Sequence, residues 1–217
     1  MKNLMGIDIP IDTPEERKKF YTEQEPDECW DWLKMRQNHD VGKDEIFWDV
    51  LCPWLEEKHF YTALDVGARF GKYSMEMTHV ISYVSAIDIA PQHVKNMKKA
   101  LEEYENIIPL ERDIENDPLT KKEDYDFIFA SDILEHMVKP YDVWNNWISH
   151  SKYVYTLIPK GKSWNNSPDH VTEWYLTPEI SHLIHLSYGL EWLYNPFNDE
   201  KNSWWALLVK GKLWSDS

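Results

Sequence analysis

Short apolar runs alternate with helix-like patterns through the middle of this 217-residue chain. The first run covers residues 60–66, and the apolar spacing after Gly71 changes to that of a helix. Further runs cover residues 83–89, 107–114 and 125–130; Asp88 and Asp113 lie at the ends of the first two, and Ser131-Asp132 follows the third. Short continuous apolar runs are typical of strands that are buried on both faces of a sheet. The pattern therefore predicts buried strands joined by helices.

A glycine turn follows the first predicted strand. Gly67 and Gly71 lie where the backbone must turn sharply, and glycine permits both this turn and a close approach to a ligand. Asp88 lies 23 positions after Asp65, at the end of the next strand, where a carboxylate can accept hydrogen bonds from ribose hydroxyls. These features predict a nucleotide-like cofactor. The turn reads Gly-x-x-x-Gly rather than Gly-x-Gly-x-x-Gly, which disfavours a nicotinamide enzyme.

Four motifs in this order resemble the class I S-adenosylmethionine-dependent methyltransferases, especially the group with a Leu-Glu-His motif after the fourth strand. The motifs are the glycine turn, Asp88, Asp113 and the run Leu134-Glu135-His136, and the resemblance covers roughly residues 60–195. It implies an α/β fold with three αβα layers. The sheet would be Rossmann-like, with seven mostly parallel strands and one antiparallel hairpin at its edge.

The resemblance also implies which residues bind the cofactor. Asp65 and the glycine loop would hold its methionine part, and Asp88 would hold the ribose. Asp113 would face the adenine amino group, with Ile114 packed on the ring, and Ser131 would lie beside the methyl donor. The complete expected set is Asp65, Gly67, Ala68, Gly71, Asp88, Ile89, Asp113, Ile114 and Ser131.

The implied reaction moves a methyl group from a sulfonium to a nucleophile. The protein must align the acceptor, exclude water and, for a hydroxyl acceptor, remove a proton. His136 and His170 are the candidate bases, because a free imidazole has a pKa of about 6.5. In the alternative interpretation, each histidine only fixes its own loop. We predict an enzyme that methylates a small or sugar-like acceptor at oxygen, and a non-catalytic binding or scaffold protein is the alternative.

A metal site is another possibility at the same position. Asp132, Glu135, His136 and His170 are similar to the ligand pattern of metal-dependent O-methyltransferases, including those that act on the 2′-oxygen of small RNAs. Two carboxylates and two imidazoles suit a divalent ion that lowers the pKa of an acceptor hydroxyl. Asp132 replaces a glutamate of that pattern and is one methylene shorter. We therefore expect S-adenosylmethionine as the cofactor and no metal.

Arg69 departs from the resembling family, which has glycine two residues after Gly67. A position that demands a positive φ would strain the arginine backbone. Its guanidinium has two alternative roles, contact with an anionic ligand or exposure to solvent. A third alternative is a degenerate site. We expect cofactor binding to be retained, because the other motif residues are present.

Residues 1–58 are predicted to form a helical extension or cap, and residues 59–217 the cofactor-binding domain. One helix of the extension should run from Asp44 to Leu51 and be interrupted by Pro53. Such helices either lie over the cofactor or simply cover one face of the sheet. At the other end of the chain, residues 190–194 and 204–209 are predicted strands joined by a polar turn.

The composition limits the classes of molecule that we expect this protein to bind. Acidic residues outnumber basic residues by 38 to 23, for a net charge of −15, which disfavours long nucleic acids as substrates. No apolar stretch reaches the ~18 residues of a membrane span. Cys29 and Cys52 have no metal or redox spacing, and the first residues lack a secretion signal, so we expect a cytoplasmic protein that binds a small-molecule acceptor. The oligomeric state is left open.

Overall fold

Seven strands form one sheet in the computed structural model of the protein. The structure describes Glu15, Glu16, Lys18, Lys19, residues 41–159, His170 and residues 178–194 and 204–213. The other residues of the predicted extension before residue 41, Cys29 among them, lie outside the described residues. The strands are β1 (Thr62–Val66), β2 (Tyr83–Asp88), β3 (Ile107–Glu111), β4 (Tyr125–Ser131), β5 (Ser151–Pro159), β6 (Gly189–Tyr194) and β7 (Trp204–Lys210).

The strand order is β3-β2-β1-β4-β5-β7-β6. Strands β1 to β5 pair in parallel. Strand β7 is antiparallel to both β5 and β6. The predicted mostly parallel seven-stranded sheet with an antiparallel edge hairpin is therefore confirmed.

Helices cover both faces of the sheet. They are α1 (Val41–Glu45), a π-helical segment (Ile46–Leu51), α2 (Cys52–Lys58), α3 (Lys72–Met77), α4 (Pro91–Ala100), a 3-10 turn (Leu134–His136), α5 (Pro140–Ser149) and α6 (Pro178–Leu186). The π-helical segment, α2, α3 and α4 pack in one apolar core with one sheet face. Helices α5 and α6 pack on the other face. The arrangement is the predicted αβα layering.

The helix expected to end before Pro53 continues instead to Lys58, so that prediction was wrong. In the π-helical segment the N–H of Cys52 donates to the carbonyl oxygen of Phe47, which lies five residues back. This longer hydrogen bond shifts the helical register just before the proline. Pro53 then occupies the first turn of α2, where a backbone N–H is not required.

The carboxyl ends of β1, β2 and β4 are level with one another. Val66 at the end of β1 pairs with Ile87 on one side and with Ala130 on the other. The helices that follow β1 and β4 lie on opposite faces of the sheet. Ligands of such sheets bind in the crevice at this topological switch point. None of the described helices is long and apolar enough to span a bilayer.

Candidate active site

The glycine turn after β1 is packed against the exit of β4. Gly67 has φ 68°, and a Cβ atom there would lie 1.9 Å from Cδ1 of Ile133. Gly71 has φ 77°, and a Cβ atom there would lie 2.5 Å from Cδ1 of Leu101. Between them, the N–H of Ala68 donates to the carbonyl oxygen of Ile87 at 2.9 Å. The positive φ favours glycine at both positions, and a Cβ atom would in addition require the side chains of Ile133 and Leu101 to move.

Asp65 is buried beneath this turn. Its Oδ2 accepts a hydrogen bond from the Ser74 hydroxyl at 2.5 Å. Burial raises the pKa of Asp65 to about 7, with a smaller contribution from the charge of Asp88, and the bond from Ser74 acts in the opposite direction. Asp65 therefore ties β1 to helix α3. Ser74 was not predicted as this partner, because its position nine residues later on a helix carries no distinct signal.

Asp88 is buried at the end of β2, and three hydrogen-bond donors surround its carboxylate. The N–H of Arg69 donates to Oδ2 at 2.9 Å, and the N–H of Ala90 donates to Oδ1 at 2.8 Å. Nδ1 of His93 lies 3.1 Å from Oδ1. A carboxylate oxygen accepts about two hydrogen bonds. Among the described residues Oδ2 has only one donor, so Asp88 retains capacity for a ribose hydroxyl, as the expected cofactor requires.

Arg69 has φ 51°, so the left-handed backbone considered in the sequence analysis is present. The bond from its N–H to Asp88 holds this strained residue in place. Its side chain is exposed, and the guanidinium carbon lies 4.9 Å from the ring centroid of Phe70. This geometry favours the solvent-facing interpretation of Arg69.

The loop after β3 is held by its own side chains. Oδ1 of Asp113 accepts from the N–H groups of Glu115 and Asn116, at 3.1 Å and 3.3 Å. Asp113 thus caps the turn that carries the buried Ile114. The structure places both residues expected to contact adenine on the turn that follows β3, at the carboxyl edge of the sheet.

Arg112 fastens this loop to the segment before β4. Its Nη1 donates to Oε1 of Glu123 at 2.5 Å, and its Nη2 donates to the carbonyl oxygen of Pro118 at 2.8 Å. The hydrogen bond from Arg112 lowers the pKa of Glu123 to about 2. A charge-assisted bond of this kind restricts the loop that includes Asp113.

The exit of β4 carries a second strained residue. Asp132 has φ 54°, and its Oδ2 accepts from the Ser131 hydroxyl at 3.0 Å. The same oxygen lies 2.6 Å from Nζ of Lys43, which also lies 5.2 Å from the ring centroid of Trp204. Lys43 belongs to α1. This partner of Asp132 was not predicted, because no local pattern in the sequence links Lys43 to Asp132.

Asp44, next to Lys43, fastens α1 to the opposite side of the crevice. Its buried carboxylate accepts from Nζ of Lys72 at 2.5 Å and 2.7 Å, and from the Tyr73 hydroxyl at 3.0 Å. Burial and the charge of Asp44 raise the pKa of Tyr73. Two adjacent residues of opposite charge therefore connect α1 to helix α3 and to the exit of β4.

Glu135, His136 and His170 lie together beside this exit. Glu135 is fully buried, and neither of its carboxylate oxygens has a hydrogen-bond partner among the described residues. Burial raises the pKa of Glu135 to about 8, and the nearby charge of His136 opposes this shift. Nε2 of His136 lies 3.9 Å from Oε1 of Glu135. The rings of His136 and His170 have centroids 4.8 Å apart at an angle of 70°.

Three of the four residues in the possible metal set are close to one another. One ligand atom each from Glu135, His136 and His170 lies within 4.8 Å of the others. Asp132 is not part of this group in the described part of the chain, and its carboxylate is paired with Lys43 instead. The arrangement thus contains three candidate ligands rather than four.

Comparisons with known proteins agree with this geometry. A family model described as "Methyltransferase domain" matches residues 64–150. The structure is similar to that of the N-methyltransferase NodS from Bradyrhizobium japonicum WM9 in complex with S-adenosyl-L-homocysteine, with 12% identity and a TM-score of 0.66. That match covers 94% of this chain and 100% of the other.

A second similar structure is a SAM-dependent methyltransferase from Aquifex aeolicus, with 17% identity and a TM-score of 0.60. The match covers 83% of this chain and 98% of the other. None of the curated proteins searched matches this chain. The methyltransferase domain, the sheet order and the strand-end site together define the class: residues 64–150 match a methyltransferase domain, and the chain has the fold of the class I S-adenosylmethionine-dependent methyltransferases. It is an enzyme, and S-adenosylmethionine is its cofactor.

Proposed function

We propose that this enzyme transfers a methyl group to a hydroxyl of a small or sugar-like acceptor, without a metal ion. The observation that carries the proposal is the contact between the imidazoles of His136 and His170 at the exit of β4. The bound cofactor supplies a methyl group that is already activated by its sulfonium. The chain must therefore orient the acceptor and remove its proton.

The residues proposed to bind the cofactor lie at or just after the carboxyl ends of the strands. Asp88 accepts a ribose hydroxyl through the remaining capacity of Oδ2. Asp113 and Ile114 contact the adenine, on the turn that Arg112 holds in place. The remaining proposed cofactor contacts are Asp65, Gly67, Ala68, Gly71, Ile89 and Ser131. The level ends of β1, β2 and β4 support this assignment, because residues at those strand ends lie beside the same crevice.

His136 is the first candidate for the base. Its side chain is 19% exposed, whereas Glu135 is fully buried behind it. His136 is thus the member of this pair that an acceptor can reach. The buried His170 packs against its ring and restricts the orientation of the imidazole. A base held in one orientation beside the methyl donor can accept the acceptor's proton as the new bond forms.

The charge of the protein favours a small acceptor. Acidic residues exceed basic residues by 15, which is the net negative charge of the chain. A polyanionic acceptor would be repelled at this charge, unless basic residues were concentrated at the site. Two lysines beside the crevice, Lys43 on α1 and Lys72 on α3, are both paired with carboxylates. These pairs support an acceptor without a long phosphate backbone.

A metal-dependent reaction is the second candidate, and the cluster of Glu135, His136 and His170 favours it. A divalent ion there would use one carboxylate and two imidazoles, a suitable set for zinc or another transition metal. The unpartnered oxygens of Glu135 would gain a partner. We favour the metal-free reaction, because Lys43 holds Asp132 away from this group and no step of sulfonium chemistry requires a metal.

The test begins with the purified full-length chain. Mass spectrometry would first identify any co-purified cofactor, and labelled S-adenosylmethionine would then be incubated with cell extract. Candidate acceptors with free hydroxyls would be compared with amine analogues of the same size. We expect label on oxygen. Methylation of the amines alone would contradict the proposed acceptor group.

The base and the metal are tested on the identified acceptor. His136→Gln and His170→Gln should bind S-adenosylmethionine normally, and at least one should lower turnover roughly 100-fold, as expected for loss of a general base. His185→Gln, an exposed histidine on α6, is the matched control. A chelator should leave wild-type turnover unchanged. Loss of turnover with chelator and recovery with a divalent ion would establish the metal-dependent reaction instead.

A further inference from the structure

A buried histidine completes the surroundings of Asp88. His93 is 5% exposed, and its Nδ1 lies 3.1 Å from Oδ1 of Asp88. An ionised carboxylate only accepts hydrogen bonds, so this contact requires the imidazole proton on Nδ1. The position follows from the local sequence, because Pro91 begins helix α4 and His93 lies on its first turn. Side chains on a helix point back towards its N-terminus, which here is the end of β2.

The other ring nitrogen of His93 has no such partner. Nε2 is buried and makes no hydrogen bond within the described residues. The ring packs against Phe70, with centroids 5.3 Å apart and planes at 60°. Burying an unpaired polar atom is unfavourable, and an aliphatic side chain at this position would avoid that penalty. The benefit of a histidine must therefore come from Nδ1 and its contact with Asp88.

We propose that His93 is a positioning residue for cofactor binding, which orients the carboxylate of Asp88. This proposal rests on the proposed role of Asp88 in binding the ribose. Together with the N–H of Ala90, His93 holds Oδ1, and Oδ2 then faces the glycine turn. Without the imidazole, the carboxylate has one fixed donor fewer and more freedom to rotate.

The same carboxylate also supports the strained turn. Oδ2 accepts the N–H of Arg69, whose φ is 51°, and the remaining capacity of that oxygen serves the ribose. His93 thus acts on two neighbouring features through one side chain. His93 acts through Asp88 and not on the reacting atoms. Its effect should therefore appear in cofactor affinity rather than in the rate of the chemical step.

The test compares two substitutions at His93. His93→Leu removes the donor and also removes the unpartnered Nε2. We expect it to weaken S-adenosylmethionine binding roughly tenfold by calorimetry, as for loss of one hydrogen bond to a charged group, without lowering Tm. His93→Asn places an N–H donor at the same δ position and should restore affinity to within about threefold of wild type, since one good donor is retained. Gln92→Leu is the matched control, because Gln92 bonds to Asn96 and not to Asp88.

The results separate the positioning role of His93 from the ribose contact of Asp88. Normal affinity in His93→Leu, a lowered Tm, failure of this variant to fold, or no rescue by His93→Asn would each overturn the role of His93. Asp88→Ala is measured in parallel. If Asp88→Ala also binds the cofactor normally, the proposed ribose contact is wrong. If Asp88→Ala abolishes binding and His93→Leu does not affect it, the ribose contact is supported and only the positioning role fails.

Discussion

Ile133 lies directly over Gly67. A Cβ atom on this glycine would be 1.9 Å from Cδ1 and 2.6 Å from Cγ1 of the isoleucine. The glycine belongs to the turn after β1, and the isoleucine belongs to the loop after β4, so their contact joins the segments that leave two neighbouring strands. The positive φ of Gly67 adds a second reason against any side chain there.

Gly67→Ala should therefore lower the free energy of unfolding by at least about 2 kcal/mol, through overpacking and left-handed backbone strain. Urea denaturation would measure the change. The double variant Gly67→Ala with Ile133→Ala removes the clash but not the strain, so we expect it to lose less stability than the sum of the two single variants. A loss under about 0.5 kcal/mol in Gly67→Ala would contradict the predicted packing, as this is the size of an ordinary surface substitution.

Arg69→Gly tests the second strained position of the same turn. Glycine adopts φ 51° without strain and keeps the N–H that donates to Asp88. We expect stability to rise by up to about 1 kcal/mol. Affinity for S-adenosylmethionine should stay within about tenfold of wild type, because the exposed guanidinium is not expected to contact the ligand.

Arg69→Ala is the matched control for that change. It removes the guanidinium but keeps the unfavourable backbone conformation, so it should bind like wild type without the gain in stability. A much larger loss of affinity in both variants would show that the guanidinium contacts the cofactor. A large gain in affinity in Arg69→Gly would show that the native turn obstructs binding.

Glu135 predicts a pH dependence of stability. Its pKa is raised by burial from 4.5 to about 8. Between these values the folded state keeps a proton that the unfolded state has released, so the contribution of Glu135 to stability falls as pH rises. Glu135→Gln cannot ionise and removes this loss. In chelator, the stability of the variant relative to wild type should increase from pH 5 to pH 8, and a constant difference would contradict the shift.

Glu123 predicts a dependence of the opposite sign. The bond from Arg112 lowers the pKa of Glu123 from 4.5 to about 2. The ionised form therefore stabilises the fold above pH 4.5, and this contribution is lost as pH falls towards 2. Glu123→Gln should cost about 1 kcal/mol at pH 6, as for a partly exposed ion pair, and much less near pH 2. Glu102→Gln, at an exposed position after α4, should show no such change.

Several features of the site were accessible from the sequence. The glycines of the turn and Asp88 were recognised because strand ends and turns depend on neighbouring residues, whereas the Leu-Glu-His run was recognised from its resemblance to a known family. The prediction that Pro53 interrupts the helix was wrong. The π-helical segment that lets the helix continue cannot be distinguished from an ordinary helix by local pattern. The pairing of Asp132 with Lys43 was also missed, because it joins segments far apart in the chain.

The sequence by itself determined the order of strands and helices, the position of the glycine turn and the acidic residue at each strand end. These features arise from apolar periodicity and local backbone preferences, which act over a few residues. Only the tertiary structure decided the partners of the carboxylates that join distant segments: Asp132 pairs with Lys43, and Asp44 pairs with Lys72. Such partners depend on how layers pack across the sheet, where a side chain meets residues that its own sequence neighbourhood does not specify.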